Sequence, residues 1–186
     1  MKRLFLTAII CIMLTGCTTG EQGINRGLQL RSRILSASGC SFTCQITADY
    51  GKEIFVFKMD CRTDGSGNLQ FAVTQPESIS AITGIISDDG GKLTFDDKAL
   101  AFALLTDRQL SPVSAPWIMI KTLRSGYLDS CAEDGAYIQL AMDDSYAGDA
   151  LHLDIWLNEE NVPVRGEILW DGRRILTVEV ENFILL

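Results

Sequence analysis

From position 40 to position 50 the chain alternates without a break. Cys40, Phe42, Cys44, Ile46, Ala48 and Tyr50 are separated by Ser41, Thr43, Gln45, Thr47 and Asp49. Successive strand side chains leave on opposite faces, so strict period two describes a half-buried strand. A slip of one residue would turn the apolar set into solvent, so the pattern also fixes which face is inside. The next segments repeat the signal. Gly51 and Lys52 turn the chain, and Phe55, Phe57, Met59 and Cys61 then share one face of a strand over 54–62. Leu69, Phe71 and Val73 mark a third strand, and 76–79 reads as a short turn.

Turn chemistry punctuates the rest. Strands are expected at 81–87 and 92–96 around Asp88-Asp89-Gly90-Gly91, at 127–132 and 137–142 around Glu133-Asp134-Gly135, and at 150–157. Asp171-Gly172 between 164–170 and 173–183 is the strongest hairpin signal in the chain. The apolar run 99–105 has no period that decides between strand and helix. Two segments read instead with helical spacing. Over 22–38, Ile24, Leu28, Leu30, Ile34 and Leu35 recur at three- and four-residue steps, and Gly39 ends the segment. Over 115–125, Ser114 is a plausible cap, Pro116 is tolerated in the first turn and Gly126 closes it. The expected class is α+β: eight or nine antiparallel strands curling into a half-open barrel, with an N-terminal and a mid-chain helix packed on the concave face.

The first residues carry a different message. Lys2 and Arg3 precede an apolar stretch over 4–14, broken only by Thr7, and Leu14-Thr15-Gly16-Cys17 follows. Eleven residues are too few to span a bilayer, which needs about 20, but suit the apolar core of a secretory leader. The order of basic, apolar and small residues before a thiol resembles a bacterial lipoprotein box. That resemblance implies a signal peptide over 1–16, lipid (palmitate among its acyl groups) on Cys17, a short polar tether over 17–23 and a folded domain over 24–186. The expected location is the extracytoplasmic face of a bacterial membrane, held there by the Cys17 anchor. The chain carries a net charge of −8, with 24 acidic against 16 basic residues, and losing Lys2 and Arg3 deepens it. An acidic surface repels nucleic acid, so no nucleic-acid partner is expected.

Outside the leader stand Cys40, Cys44, Cys61 and Cys131. An extracytoplasmic compartment permits disulfides. Cys40 and Cys44, four strand residues apart, are about 13 Å from each other and cannot pair. Cys61 is expected to pair with Cys44 or Cys40, and Cys131 with the other; four buried free thiols are the alternative. There is no Cys-x-x-Cys motif and the spacing is poor for zinc. The single histidine, His152, shares a strand face with Asp154 and Trp156 and has no nucleophile elbow to serve. The acidic pairs Asp88-Asp89, Asp96-Asp97 and Asp143-Asp144 match no twelve-residue calcium loop. No catalytic residue, metal site or cofactor is therefore assigned, and the chain reads as non-enzymatic. The apolar set Phe42, Ile46, Phe55, Phe57, Phe71, Phe102, Trp117, Leu153 and Trp156 either lines a cavity or fills a solid core.

Several stretches together resemble a family. Leu69-Gln-Phe-Ala-Val-Thr-Gln-Pro-Glu-Ser-Ile79, Lys92-Leu-Thr-Phe-Asp96, and Asn161-Val-Pro-Val-Arg165 followed by Glu167 are similar to the strand, Pro-led turn and late strand pair of LolA/LolB-like lipoproteins. The resemblance covers about 23–183 and is nearest to LolA-like lipoproteins of Gram-positive bacteria, including mycobacterial lipid-binding and clostridial spore-germination lipoproteins. It implies a curled sheet whose function is binding. The resulting expectation is a membrane-anchored protein-binding scaffold of the envelope or, alternatively, a lipid or lipoprotein carrier with an acyl chain in its half-barrel.

Overall fold

The computed structural model describes residues 18–96, 98–102, 105–106, 109–146 and 150–186. Eleven strands form one antiparallel sheet, where eight or nine were expected. They are β1 (Gly39–Asp49), β2 (Ile54–Asp64), β3 (Leu69–Gln75), β4 (Thr83–Ser87), β5 (Gly90–Phe95), β6 (Lys98–Phe102), β9 (Tyr127–Asp134), β10 (Tyr137–Asp143), β11 (His152–Leu157), β12 (Pro163–Trp170) and β13 (Arg173–Leu185). A two-residue ladder, β7 (Leu105–Thr106) with β8 (Gln109–Leu110), stands apart. The order across the sheet is β6-β5-β4-β3-β2-β1-β13-β12-β11-β10-β9. Its edges, β6 and β9, do not pair, so the sheet curls without closing. The run 99–105 resolves in part as β6, an edge strand exposed on both faces. That exposure is why it lacks the alternation that marks a half-buried strand.

The first and last strands meet at the centre. β1 pairs β13 from Cys40↔Leu185 to Ala48↔Leu176. The pairing is extended by Ser38 N–H to Leu186 O and by Leu186 N–H to Gly39 O, both 3.0 Å.

Two α-helices cover the concave face. α2 (Ala115–Ser125) buries Ala115 to Ile120, Thr122 and Leu123. Met119 lies over Gly166 of β12, where a Cβ would come within 3.0 Å of its sulfur. α1 (Thr18–Ser36) lies on β9, β10 and α2. Its buried stripe is Gly23, Gly27, Leu30 and Ile34. Ile24, Leu28 and Leu35, expected to face the core, are exposed instead. The two glycines explain the rotation. A Cβ on Gly23 would meet Cys131 Sγ at 2.5 Å, and one on Gly27 would meet Leu140 at 3.2 Å. The helix therefore approaches the sheet through its glycines. α1 begins at Thr18, four residues before the helix start expected at 22.

Polar side chains fix α1 at two places. Arg31 donates to the carbonyls that end α2: Leu123 O from Nε at 2.8 Å and Gly126 O from Nη2 at 2.6 Å. Arg26 bonds Asn158 O and, at 3.3 Å, Asn161 Oδ1 in the β11–β12 turn, and Asn161 Nδ2 returns a bond to Arg26 O at 3.0 Å. One apolar cluster runs from the concave face through both helices. The interior of the half-barrel is thus packed, with α2 as its filling.

Candidate functional site

The site arises where neighbouring strands differ in length. β2 begins at Ile54, whereas β3 ends at Gln75, opposite Lys58. Residues 54–57 therefore pair with β1 alone. Past Gln75 the chain turns through Pro76 and a 3-10 turn (Glu77–Ile79), then returns as Ile82 O accepts the N–H of Val73 at 2.8 Å. On the opposite side, a second 3-10 turn (Pro112–Ser114) leads into α2. Between these walls lies an apolar groove of about 260 Å³. Phe55, Phe57 and Val73 form its floor, Pro76, Ile79 and Ile82 one wall, and Pro112 and Val113 the other, with Val56 at the rim. Every lining side chain is apolar. Tyr50 braces one end, its hydroxyl on Leu110 O and its ring 6.2 Å from Phe55. Ile54, Phe55 and Val56 are 65%, 46% and 51% exposed, an apolar run that solvent-facing strands rarely leave open.

The other expected lining residues are distributed differently. Phe42, Ile46, Phe71 and Leu153 belong to the packed core, and Phe102 packs against it. Phe42 stacks on Phe183 with centroids 5.7 Å apart. Trp117 borders a separate hollow of about 290 Å³ beside α2, under Lys121, which also pairs with Asp88 at 2.7 Å. Trp156 lines a separate hollow outside the groove, with Asp134, Tyr137 and Arg165. Burial alternates along β11, so Leu153 and Trp156 face opposite ways. On the convex face Trp156 donates to Asp134 at 2.8 Å, and Arg165 lies over its ring.

Val73, Pro76, Ile79, Ile82, Pro112 and Val113 complete the groove and were not among the expected residues. The available signal was local: Ile79 and Ile82 are apolar residues in an otherwise polar turn, and two prolines bracket the region. His152 joins its neighbours on the convex face, with Nδ1 2.8 Å from Asp143 and Nε2 3.7 Å from Asp154. Among the described residues no group of three or more His, Cys, Asp and Glu side chains could hold a metal. Asp97 and Cys17 lie outside the described residues.

Inside the domain Cys40, Cys44 and Cys61 are buried and Cys131 is half-buried. Cys44 and Cys61 sulfurs are 3.8 Å apart. Cys40 turns to Thr63, 3.2 Å from its hydroxyl. Cys131 sits on edge strand β9 against Gly23, five positions from β1 in the sheet. Cys131 therefore lies far from the cysteines of β1 and β2, with Gly23 of α1 packed against it. Burial pushes the Cys40 thiol up, and burial followed by the adjoining Cys44 pushes Cys61 further.

No family model and no curated protein matches the sequence. Similar solved structures include a LolA superfamily protein from Nitrosomonas europaea, at 9% identity over 86% of this chain and 93% of that one, TM-score 0.45. An uncharacterized conserved protein from Thermus thermophilus is 8% identical over 86% of each chain, TM-score 0.49. The lipoprotein LppX of Mycobacterium tuberculosis is 9% identical over 87% and 93%, TM-score 0.42. In its curled, unclosed antiparallel sheet and its two helices, the chain resembles the LolA/LolB-like proteins.

Proposed function

We propose that this is a non-enzymatic binding protein of the bacterial envelope, anchored through lipid on Cys17, whose groove takes an apolar chain. The favoured ligand is the acyl chain of a lipid or of a lipid-modified protein. The observation that carries this reading is the lining: Phe55, Phe57, Val73, Ile79, Ile82 and Val113 offer no hydrogen-bonding side chain. Such a surface selects by area alone, which suits featureless hydrocarbon. Its size sets the affinity. A volume of 260 Å³ falls below the roughly 300–1,000 Å³ of pockets that enclose a whole ligand. The groove would hold part of a chain. About five methylenes at about 0.8 kcal/mol each give roughly 4 kcal/mol, a millimolar Kd.

A second reading, a scaffold that docks a partner protein, is favoured by the one-sided pairing of 54–57. A bare strand edge beside apolar side chains suits an extended peptide.

Both are tested with the Cys17→Ser chain purified without detergent. Titration with a short-chain fatty acid soluble to several millimolar, followed by NMR shifts, should approach saturation in the millimolar range, and Val113→Asp should weaken binding at least tenfold. Equal binding by the variant, or none by the parent, overturns the acyl-chain reading. Retention of an envelope protein by the parent but not by Val56→Pro would then support the scaffold.

A further inference from the structure

Cys44 and Cys61 occupy the inner faces of neighbouring strands. In the β1–β2 register Cys61 lies opposite Phe42 and Cys44 opposite Met59, so the two cysteines are diagonal neighbours on one face. Their sulfurs are 3.8 Å apart, and the residues are 1% and 4% exposed. Cys40 is the other diagonal neighbour of Cys61. Its sulfur is engaged with Thr63 Oγ1, which also accepts the Cys40 N–H at 2.9 Å. Cys131 is held against Gly23 on β9. Of the sulfurs that could pair with Cys61, only that of Cys44 is turned toward it.

We propose that Cys44 and Cys61 are a disulfide-forming pair that staples β1 to β2 on the inner face of the sheet. The sulfurs must close by about 1.8 Å to reach bonding distance near 2.05 Å, and because diagonal neighbours stand about 7–8 Å apart the two strands must draw together slightly as they do. The oxidant is a disulfide-bearing thiol oxidant, RS–SR. One cysteine loses its proton and its thiolate attacks RS–SR, forming a mixed disulfide and releasing the first RSH. The second cysteine loses its proton and attacks the protein sulfur of that mixed disulfide, expelling the second RSH. Two electrons and two protons pass to the oxidant, and one S–S bond breaks for each one formed. Folding shields both sulfurs, so the exchange belongs to the open chain, before the core closes over the hairpin. A bond formed then is protected from later reduction by the same burial. Its occurrence in the cell rests on the envelope location proposed above.

The test has two arms. The reduced, unfolded full chain is refolded with glutathione disulfide, blocked with N-ethylmaleimide under denaturing conditions and mapped as unreduced peptides. The expected result is a Cys44–Cys61 linked peptide, with Cys40 carrying maleimide. Oxidised protein should melt about 6–12 °C above the Cys44→Ala/Cys61→Ala variant, from the 44–61 loop closed. Maleimide on both Cys44 and Cys61, or a Cys61–Cys40 link, overturns the proposal. The second arm alkylates the chain in intact cells. Free thiols there, with the link formed in vitro, overturn the envelope location and leave the pairing standing.

Discussion

Arg31 is the most informative place to cut the contact between the two helices. Its guanidinium donates to Leu123 O at 2.8 Å and Gly126 O at 2.6 Å, with Thr122 O at 3.4 Å. The Leu123 and Gly126 carbonyls sit where α2 ends, among those a helix leaves without an intrahelical donor, whereas Thr122 O already accepts the Gly126 N–H at 2.7 Å. Burial draws the Arg31 guanidinium below its usual value, and it still carries its charge at neutral pH. A charged hydrogen bond of this kind contributes about 1.5–3 kcal/mol, and a cation at a helix C-terminus adds about 0.3–1 kcal/mol. Arg31 is partly exposed, so the low end of each range applies. Arg31→Ala should therefore cost about 2–3 kcal/mol, or about 4–12 °C in Tm for a chain of this size. Arg31→Lys keeps the charge but loses the fork that reaches two carbonyls at once, and should recover about half. Urea unfolding followed by tryptophan fluorescence reads the change, since Trp117 is buried on α2. An Arg31→Ala midpoint within about 0.5 kcal/mol of the parent would show that the helices are held by apolar packing alone.

Three further outcomes follow from the same structure. Gly39 has φ +154°, and a Cβ there would lie 2.0 Å from Thr63 O. Gly39→Ala should lose more than about 3 kcal/mol, whereas Gly135→Ala, at φ +62° with nothing within 4 Å, should lose only about 1 kcal/mol; comparable urea midpoints would contradict this. Met119→Ala should cost about 2–5 kcal/mol, because the residue is fully buried over β12, and a neutral effect would show that α2 does not fill the half-barrel. Asp64 accepts the Asn68 side-chain amide at 2.9 Å and the Ser66 and Asn68 N–H groups at 2.9 and 3.0 Å, which holds its carboxyl below the usual range. A depressed folded pKa gives stability that is complete above the unfolded value near 3.9 and is lost as pH falls through the folded one. The small advantage of the parent over Asp64→Ala should be constant above about pH 5 and shrink below about pH 4; an advantage unchanged at pH 2.5 would refute the assignment.

The parts of the fold that were legible are those where one local rule dominates. Period two located β1 within a residue at each end, and the proline and glycine bracket gave α2 its observed limits. Curvature and antiparallel order followed from short turns between strands. The face of α1 was not legible, because its contact is made by Gly23 and Gly27, which carry no hydrophobic signal. Apolar periodicity pointed to Ile24, Leu28 and Leu35, the exposed side. β6 was hidden because an edge strand with two wet faces needs no alternation. For the groove, Phe55 and Phe57 could be placed from their strand. The walls depend on β3 ending opposite Lys58, so that the first four residues of β2 lie beyond it, a difference in pairing length that only the register reveals. Trp156 is a different case: its parity with Asp154 already placed it on the outer face.

The central pairing of β1 with β13 has a consequence for how the chain reaches this structure. Residues some 140 positions apart must meet before the two halves of the sheet become one. Loop-closure entropy is met late for such contacts, and folding slows accordingly. During synthesis the N-terminal half can form its hairpins, but the middle of the sheet stays open until β13 has been made. The two edges of that central seam therefore stay exposed for nearly the whole of synthesis, and the last strand made is the one that closes them.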